Sequence, residues 1–407
     1  TEIYTLSLHD ALPILSGYLF TKNIGINILQ CVIVCALFGG SQDPLDFYNY
    51  EDIYNTVKQG YDVSYEIGYV WLNDICGKLG CSYIEFRYIA GILFCSALSI
   101  IIRKLTVHPN AVWSSYLIFS AMFDACLLRN SMALIIAIIA ILLLVRARST
   151  KEYLFSAGLI ALAALFHSAY WVLLFFIPLW ILINRKNGIK LVLLIIVIIY
   201  MVSIFSDNLL FRIYSHFLIR EATIDKYMTG HYANMTGALY NTVKYLFIIF
   251  PVLYYYSRHS NNQEISSPKQ KSLRSVFNHK ILKLNIIFSL VLVPQFFAVN
   301  FSRLFFILII FNYIYIANQI GVSRKIIKPR LFSIAYASSL LLLMLLWESE
   351  TTLDDVFFMH FETNKLLNCQ VSTCLFCNFL YILSDCKISV LNVYLIKQTD
   401  LFHLLVK

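Results

Sequence analysis

Long apolar runs dominate the chain, falling at roughly 22–40, 82–102, 110–125, 131–145, 153–167, 170–183, 189–205, 240–256, 281–299, 304–320 and 332–347, with short polar stretches between them. A helix of about 20 residues spans the ~30 Å hydrocarbon core of a bilayer. Within that core only a helix satisfies all of its own backbone polar groups, short of closing a barrel. The pattern therefore predicts an all-α polytopic integral membrane protein with about eleven (10–12) transmembrane helices. The runs at 153–167 and 170–183 are short and require tilt, a re-entrant hairpin or a thinner bilayer. The stretch "EIGYVWLNDICGKLG" over 66–80 is too short and polar to span, and reads as an interfacial helix. No repeat of fixed period and no soluble domain interrupts residues 15–367, which read as a single polytopic domain.

Charge orients these spans. Alternate polar gaps hold Arg103 and Lys104; Arg146, Arg148 and Lys151; Arg185, Lys186 and Lys190; the 257–280 stretch; and Arg324, Lys325, Lys328 and Arg330. These are expected to be cytoplasmic. The intervening gaps at 41–65, 206–240 and 348–366 are the outer loops, the first and last of them rich in acids. Only 14% of the 407 residues are charged and the mean hydropathy is +0.71, so the net charge of +9 belongs to these inner loops. A nucleic-acid partner is excluded on that distribution.

Both ends stand apart. "TEIYTLSLHDALPI" matches, residue for residue, the in-frame translation of a widely used short-read sequencing adapter, so residues 1–14 are expected to be an artefact, and His9 and Asp10 drop out of any site. From 368 to 407 the character changes again, with Cys369, Cys374, Cys377 and Cys386 crowded together. No histidine stands among them and the segment is apolar, which disfavours zinc. A frame-shifted end or a weak last span are the alternatives. Cys31, Cys35 and Cys95 lie inside apolar runs and read as small buried residues.

On this topology Arg129, in "LLRNSMA", His167, in "AALFHSAYW", and Arg303, in "VNFSRLFF", all fall at the outer ends of spans. Asp124 and Arg129 bracket the turn between two of them. An arginine there either snorkels to headgroups or clamps a phosphate, for which its planar fork is suited. His167 is either hydrogen-bonded within a helix hairpin or functional. The first outer loop gathers Tyr48, Tyr50, Tyr54, Tyr61 and Tyr65 among carboxylates that include Asp46, and Glu66 opens the interfacial helix. Such rings either form an interfacial belt or stack on sugars.

With these residues placed, the chain resembles the EpsG-like branch of the Wzy-type polysaccharide polymerases. The resemblance rests on "DFYNYEDIY", on "YEIGYVWLN" for a Glu-x-Gly-Tyr-x-x-Leu-Asn pattern, on "LLRNSMA" and "FHSA" at their mutual spacing, and on "NFSRLFF". Asn130 stands where that pattern has Gln, and Ile67 where Pro is common. The resemblance implies a metal-independent, cofactor-free enzyme of the bacterial plasma membrane. It would join oligosaccharide repeats carried on undecaprenyl diphosphate, at the outer face, into capsule, exopolysaccharide or O-antigen. Arg129 and Arg303 would stabilise the departing diphosphate, Glu66 or Asp46 would act as general base, and His167 would orient a sugar. Tyr50, Tyr69, Asp46 and Asp124 would contact substrate. Implied partners are the lipid-linked oligosaccharide, membrane lipid, and a flippase and chain-length regulator of the same pathway. Two rival readings remain: a metal-dependent transferase using a polyprenyl monophosphate sugar, with Glu51 and Asp52 in its first outer loop, and a flippase for lipid-linked sugar, which has no catalytic step.

Overall fold

The computed structural model describes residues 13–41, 46–205, 235–259, 273–295, 299–320 and 327–347. Residues 1–12 of the expected artefact over 1–14, most of the expected 206–240 loop, the expected 348–366 loop and the tail 368–407 lie outside them. Among the described residues the chain is helical, with no strand.

After a short helix over 13–19, the elements run α1 (Ile24–Gly40), α2 (Phe47–Lys58), α3 (Ile67–Lys78), α4 (Tyr83–Leu105), α5 (Pro109–Cys126), α6 (Leu128–Arg146) and α7 (Thr150–Ala164). A 3-10 helix (Ser168–Phe175) leads into α8 (Phe176–Ile183), followed by α9 (Gly188–Phe205), α10 (Met235–His259) and α11 (Leu273–Phe288). A three-residue 3-10 turn (Ser289–Val291) and a short helix (Leu292–Gln295) extend α11, a second longer 3-10 helix (Val299–Leu304) precedes α12 (Phe305–Gln319), and α13 (Ile327–Trp347) closes the series. Several starts are written locally. Ser82 with Glu85 and Ser149 with Glu152 form reciprocal capping boxes, and Pro109 occupies the first turn of α5.

Every expected apolar run is largely helical over its described residues, but the lengths differ. Four helices are long and apolar enough to cross a membrane: Tyr83–Leu105, Leu128–Arg146, Leu273–Pro294 and Phe301–Gln319. Four more are apolar but shorter: Ile24–Gly40, Ser168–Ile183, Gly188–Val202 and Pro329–Leu343. Over its described residues the chain is thus all-helical, with the apolar helices of a membrane protein, and the expectation of eleven full spans goes beyond these four. Helix α10 begins at Met235, inside the stretch expected to be the 206–240 loop.

Packing centres on α12, every residue of which is buried, with α5, α10, α11 and α13 around it. Its Asn312 exchanges amide hydrogen bonds with Asn285 of α11 at 3.0 and 3.1 Å and donates to the Ile248 carbonyl of α10 at 2.7 Å. Satisfied polar groups of this kind tie helices together where lipid supplies no hydrophobic drive. On another side α1 packs against α4 and α5, and α6 against α7.

The first outer loop, read from sequence as a loop, contains a helix. Phe47, Tyr50, Ile53, Tyr54 and Val57 recur at helical spacing and are the buried face of α2. They pack on α3 and α4 through rings such as Tyr54 against Phe86 and Phe47 against Tyr83. The expected interfacial helix is α3, opened by Glu66 at its N-cap, with Ile67 and Trp71 exposed on its surface and Leu79 exposed just past its C-terminus.

Candidate functional site

Arg129 sits in the first turn of α6, joined to α5 by the single residue Leu127. A cation there faces the positive end of the helix dipole, so its position is unfavourable unless a partner compensates it. The partner is Glu66: Arg129 Nη1 donates to Glu66 Oε2 at 2.5 Å. The two side chains are only 17% and 16% exposed, so solvent screens this pair less than a surface one. Arg129 Nε also donates to the Tyr50 hydroxyl at 3.3 Å. The guanidinium carbon lies 4.7 Å from the Tyr65 ring centroid, 5.2 Å from Tyr50 and 6.0 Å from Tyr69, close enough for the negative ring faces to favour the cation.

Glu66 carries the connection onward. Its Oε1 accepts from the backbone N–H and the hydroxyl of Ser168, both at 3.3 Å, at the start of the first 3-10 helix. Burial pushes the Glu66 carboxyl up, but the Arg129 guanidinium and the Ser168 amide outweigh it, holding the group below the ordinary carboxylate range. A carboxyl with a depressed folded-state pKa adds stability that is complete above its unfolded value and disappears as pH falls through the folded one. The protein should therefore keep this contribution in full from neutral pH down to the usual carboxylate range, then lose it progressively as pH falls from there through the lower folded-state value. Thermal unfolding in detergent across that range should show an acid-side decline in the wild type that is weaker in Glu66→Gln.

The approach of α3 to this turn depends on a missing side chain. Gly68 N donates to the Leu165 carbonyl at 2.9 Å, and a Cβ at Gly68 would lie 2.9 Å from that same oxygen. Gly68→Ala should push the N-terminus of α3 off the His167 turn. The expected cost is about 1–3 kcal/mol in thermal unfolding, with a loss of whatever activity Glu66 supports.

His167 precedes Ser168 and is nearly buried. Its Nδ1 lies 3.3 Å from the Ala169 N–H and its Nε2 3.4 Å from Arg303 Nη1. Neutral imidazole has one acceptor nitrogen, so only one of these contacts is a hydrogen bond. Whichever it is, a donor on the other side is left facing a donor. Arg303 lies in the second 3-10 helix, which packs against the first. Both residues thus sit where regular helix gives way, and non-helical backbone at membrane depth is tolerated only when buried in protein or lining a cavity.

Four segments distant in sequence therefore converge through Arg129, Glu66, His167 and Arg303. The other expected residues take different places. Tyr50 and Tyr69, expected to contact substrate, are buried beneath the Arg129 guanidinium and support it instead. Asp46, at the N-cap of α2 with a left-handed φ of 64°, is half-buried and near enough to Tyr50 to influence its phenol. Asp124 does not join them. It is fully buried in the last turn of α5, where its Oδ2 accepts from the Tyr116 hydroxyl at 2.7 Å. The sequence names Tyr65 only among the tyrosines of the first loop and does not place it as the ring nearest Arg129, and it gives no sign of Ser168, the second partner of Glu66. Among the described residues no group of three His, Cys, Asp or Glu side chains is placed to hold a metal, and Glu51 and Asp52 are respectively half-buried and exposed on α2.

The model of the EpsG family matches residues 26–363, most of the chain. The chain belongs to the EpsG family. Neither a curated protein nor a solved structure matches it. As an EpsG-family protein it is a membrane protein of polysaccharide biosynthesis. All four converging residues fall inside the matched region, as do both 3-10 helices that carry His167 and Arg303 to each other.

Proposed function

We propose that this protein polymerises oligosaccharide repeat units carried on undecaprenyl diphosphate, at the outer face of the bacterial plasma membrane. The observation that carries the reading is the convergence of two guanidinia on one carboxylate–imidazole array. With Nδ1 accepting from the Ala169 amide, Nε2–H faces the Arg303 guanidinium, and an anionic oxygen accepting from both would satisfy them.

In the proposed reaction the bond from the donor sugar's anomeric carbon to the diphosphate breaks, and its electron pair leaves on the diphosphate oxygen. Arg129 and Arg303 stabilise the charge that develops there. A hydroxyl of the acceptor repeat forms the new bond to that carbon and gives its proton to Glu66. His167 orients the donor through Nε2, and Asp46 lies on the acceptor side.

The experiment expresses the chain in a host lacking its own polymerase but supplied with a matching repeat-unit pathway, and resolves surface glycan by size. A ladder of chain lengths supports the reading. Single repeats with and without the protein overturn it. Exposure of lipid-linked repeats only when the protein is present would establish a flippase instead, and a ladder abolished by chelation would establish metal-dependent transfer.

A further inference from the structure

A groove of about 350 Å³ runs between α4 and α6, with Leu273 at the start of α11 also lining it, at the end of the protein opposite the candidate site. Its walls are Ile100 and Ile101 of α4 and Ile139 and Leu142 of α6, and its mouth is formed by Lys104 and Arg146, each in the last turn of its helix. Arg146 lies 17 residues beyond Arg129 on one helix (146 − 129 = 17), which at 1.5 Å per residue is about 26 Å, most of a hydrocarbon core. The groove therefore opens at the other membrane surface from Arg129, whichever way the protein faces.

Apolar walls alone would say only that lipid tails touch this surface. The mouth says more. Lys104 and Arg146 are both exposed, and among the described residues neither makes an ion pair or a side-chain hydrogen bond. A second groove, between α1 and α4, supplies the contrast. It also ends at an arginine, but Arg103 Nη2 there donates to Asn27 Oδ1 at 2.5 Å. Of these two grooves, the α4–α6 one pairs apolar walls with two cations at its mouth, and no acid is among its described lining residues. Basic pockets between membrane helices recognise anionic headgroups through this combination.

We infer that the α4–α6 groove holds one anionic diacyl phospholipid, an acyl chain along Ile100, Ile139 and Leu142 and its phosphate between Lys104 and Arg146. The helix C-termini carry partial negative charge, so an anion is held there by the two side chains and not by the backbone.

The test is native mass spectrometry of the full chain in detergent, titrated with dioleoylphosphatidylglycerol or dioleoylphosphatidylcholine. Wild type should retain one phosphatidylglycerol in preference to phosphatidylcholine. Each cation should contribute about five-fold, so K104Q/R146Q should lose about 25-fold of that preference. The charge-conserving exchange K104R/R146K should keep most of it, and Ile100→Trp, which fills the groove and leaves both charges, should weaken retention. Equal retention of the two lipids by wild type, or undiminished preference in K104Q/R146Q, would overturn the inference.

Discussion

Arg129→Ala is expected to collapse the glycan ladder to single repeats while the protein still inserts and accumulates in the membrane. The side chain occupies a helix N-terminus, which repels a cation, in an apolar setting, which penalises one. Snorkelling to headgroups does not describe it, since its nitrogens are engaged by Glu66 and Tyr50 and its plane lies among three tyrosine rings. A cation held in so unfavourable a position is preorganised for an anion, and loss of one preorganised donor to a developing oxyanion costs about 10²–10³ in rate. Arg129→Lys should recover little of this, because an ammonium keeps the charge but loses the planar fork and most of the stacking on Tyr65. Membrane content by immunoblot and thermal unfolding of both variants separate chemistry from folding. A normal ladder in either variant would remove Arg129 from the proposed mechanism.

Much of this arrangement was legible in the sequence, for identifiable reasons. Arg129, His167 and Arg303 stood out because charge is scarce at span ends, and the alternation of basic gaps put all three on one side. Glu66 at the start of α3 was legible because an acid precedes an amphipathic stretch too short to span. Their contacts were less legible. Helix α2 was hidden because its acids and asparagine made the segment read as a solvated loop, although 47, 50, 53, 54 and 57 already stood at helical spacing. Asp124 was misplaced because neighbouring in sequence was taken for facing. Leu127 alone joins α5 to α6, and the junction turns Asp124 into the core while Arg129 meets α3. Arg87 was overlooked despite a clear signal, an arginine inside the apolar run 82–102. It is wholly buried, donating to the carbonyls of Phe38 at 2.6 Å and Ala125 at 3.3 Å near the C-terminal ends of α1 and α5, where helix dipoles welcome a cation. The count of about eleven spans goes beyond the four long apolar helices among the described residues, and hydropathy averages do not register where a helix ends. Regular helix stops at Ala164 and resumes only at Phe176.

Glu66→Gln should separate the two roles this carboxylate can have. If Glu66 only holds Arg129 and Ser168 in place, glutamine is a fair substitute: its amide oxygen can still accept one of those hydrogen bonds, and activity should fall modestly. If it takes the acceptor's proton, glutamine removes the base entirely, and the expected loss is about 10²–10⁴. The larger loss is expected, for a reason visible in the resting geometry. With Arg129 against it, the carboxylate is held below its ordinary pKa and is a weak base. In the proposed mechanism Arg129 would turn to the diphosphate, the pair would loosen, and the carboxylate would regain basicity beside the acceptor. The coupling makes proton abstraction depend on donor binding, which would suppress wasteful reaction in its absence. It also predicts that polymerisation by wild type has an acid limb in its pH profile that vanishes in Glu66→Gln, leaving a low, flat residual rate. Glu66→Asp retains a base but is shorter by one methylene, so it should keep the acid limb at reduced rate. An acid limb unchanged in Glu66→Gln would assign the base elsewhere, and Asp46, the other carboxylate near Tyr50, would be the next residue to replace.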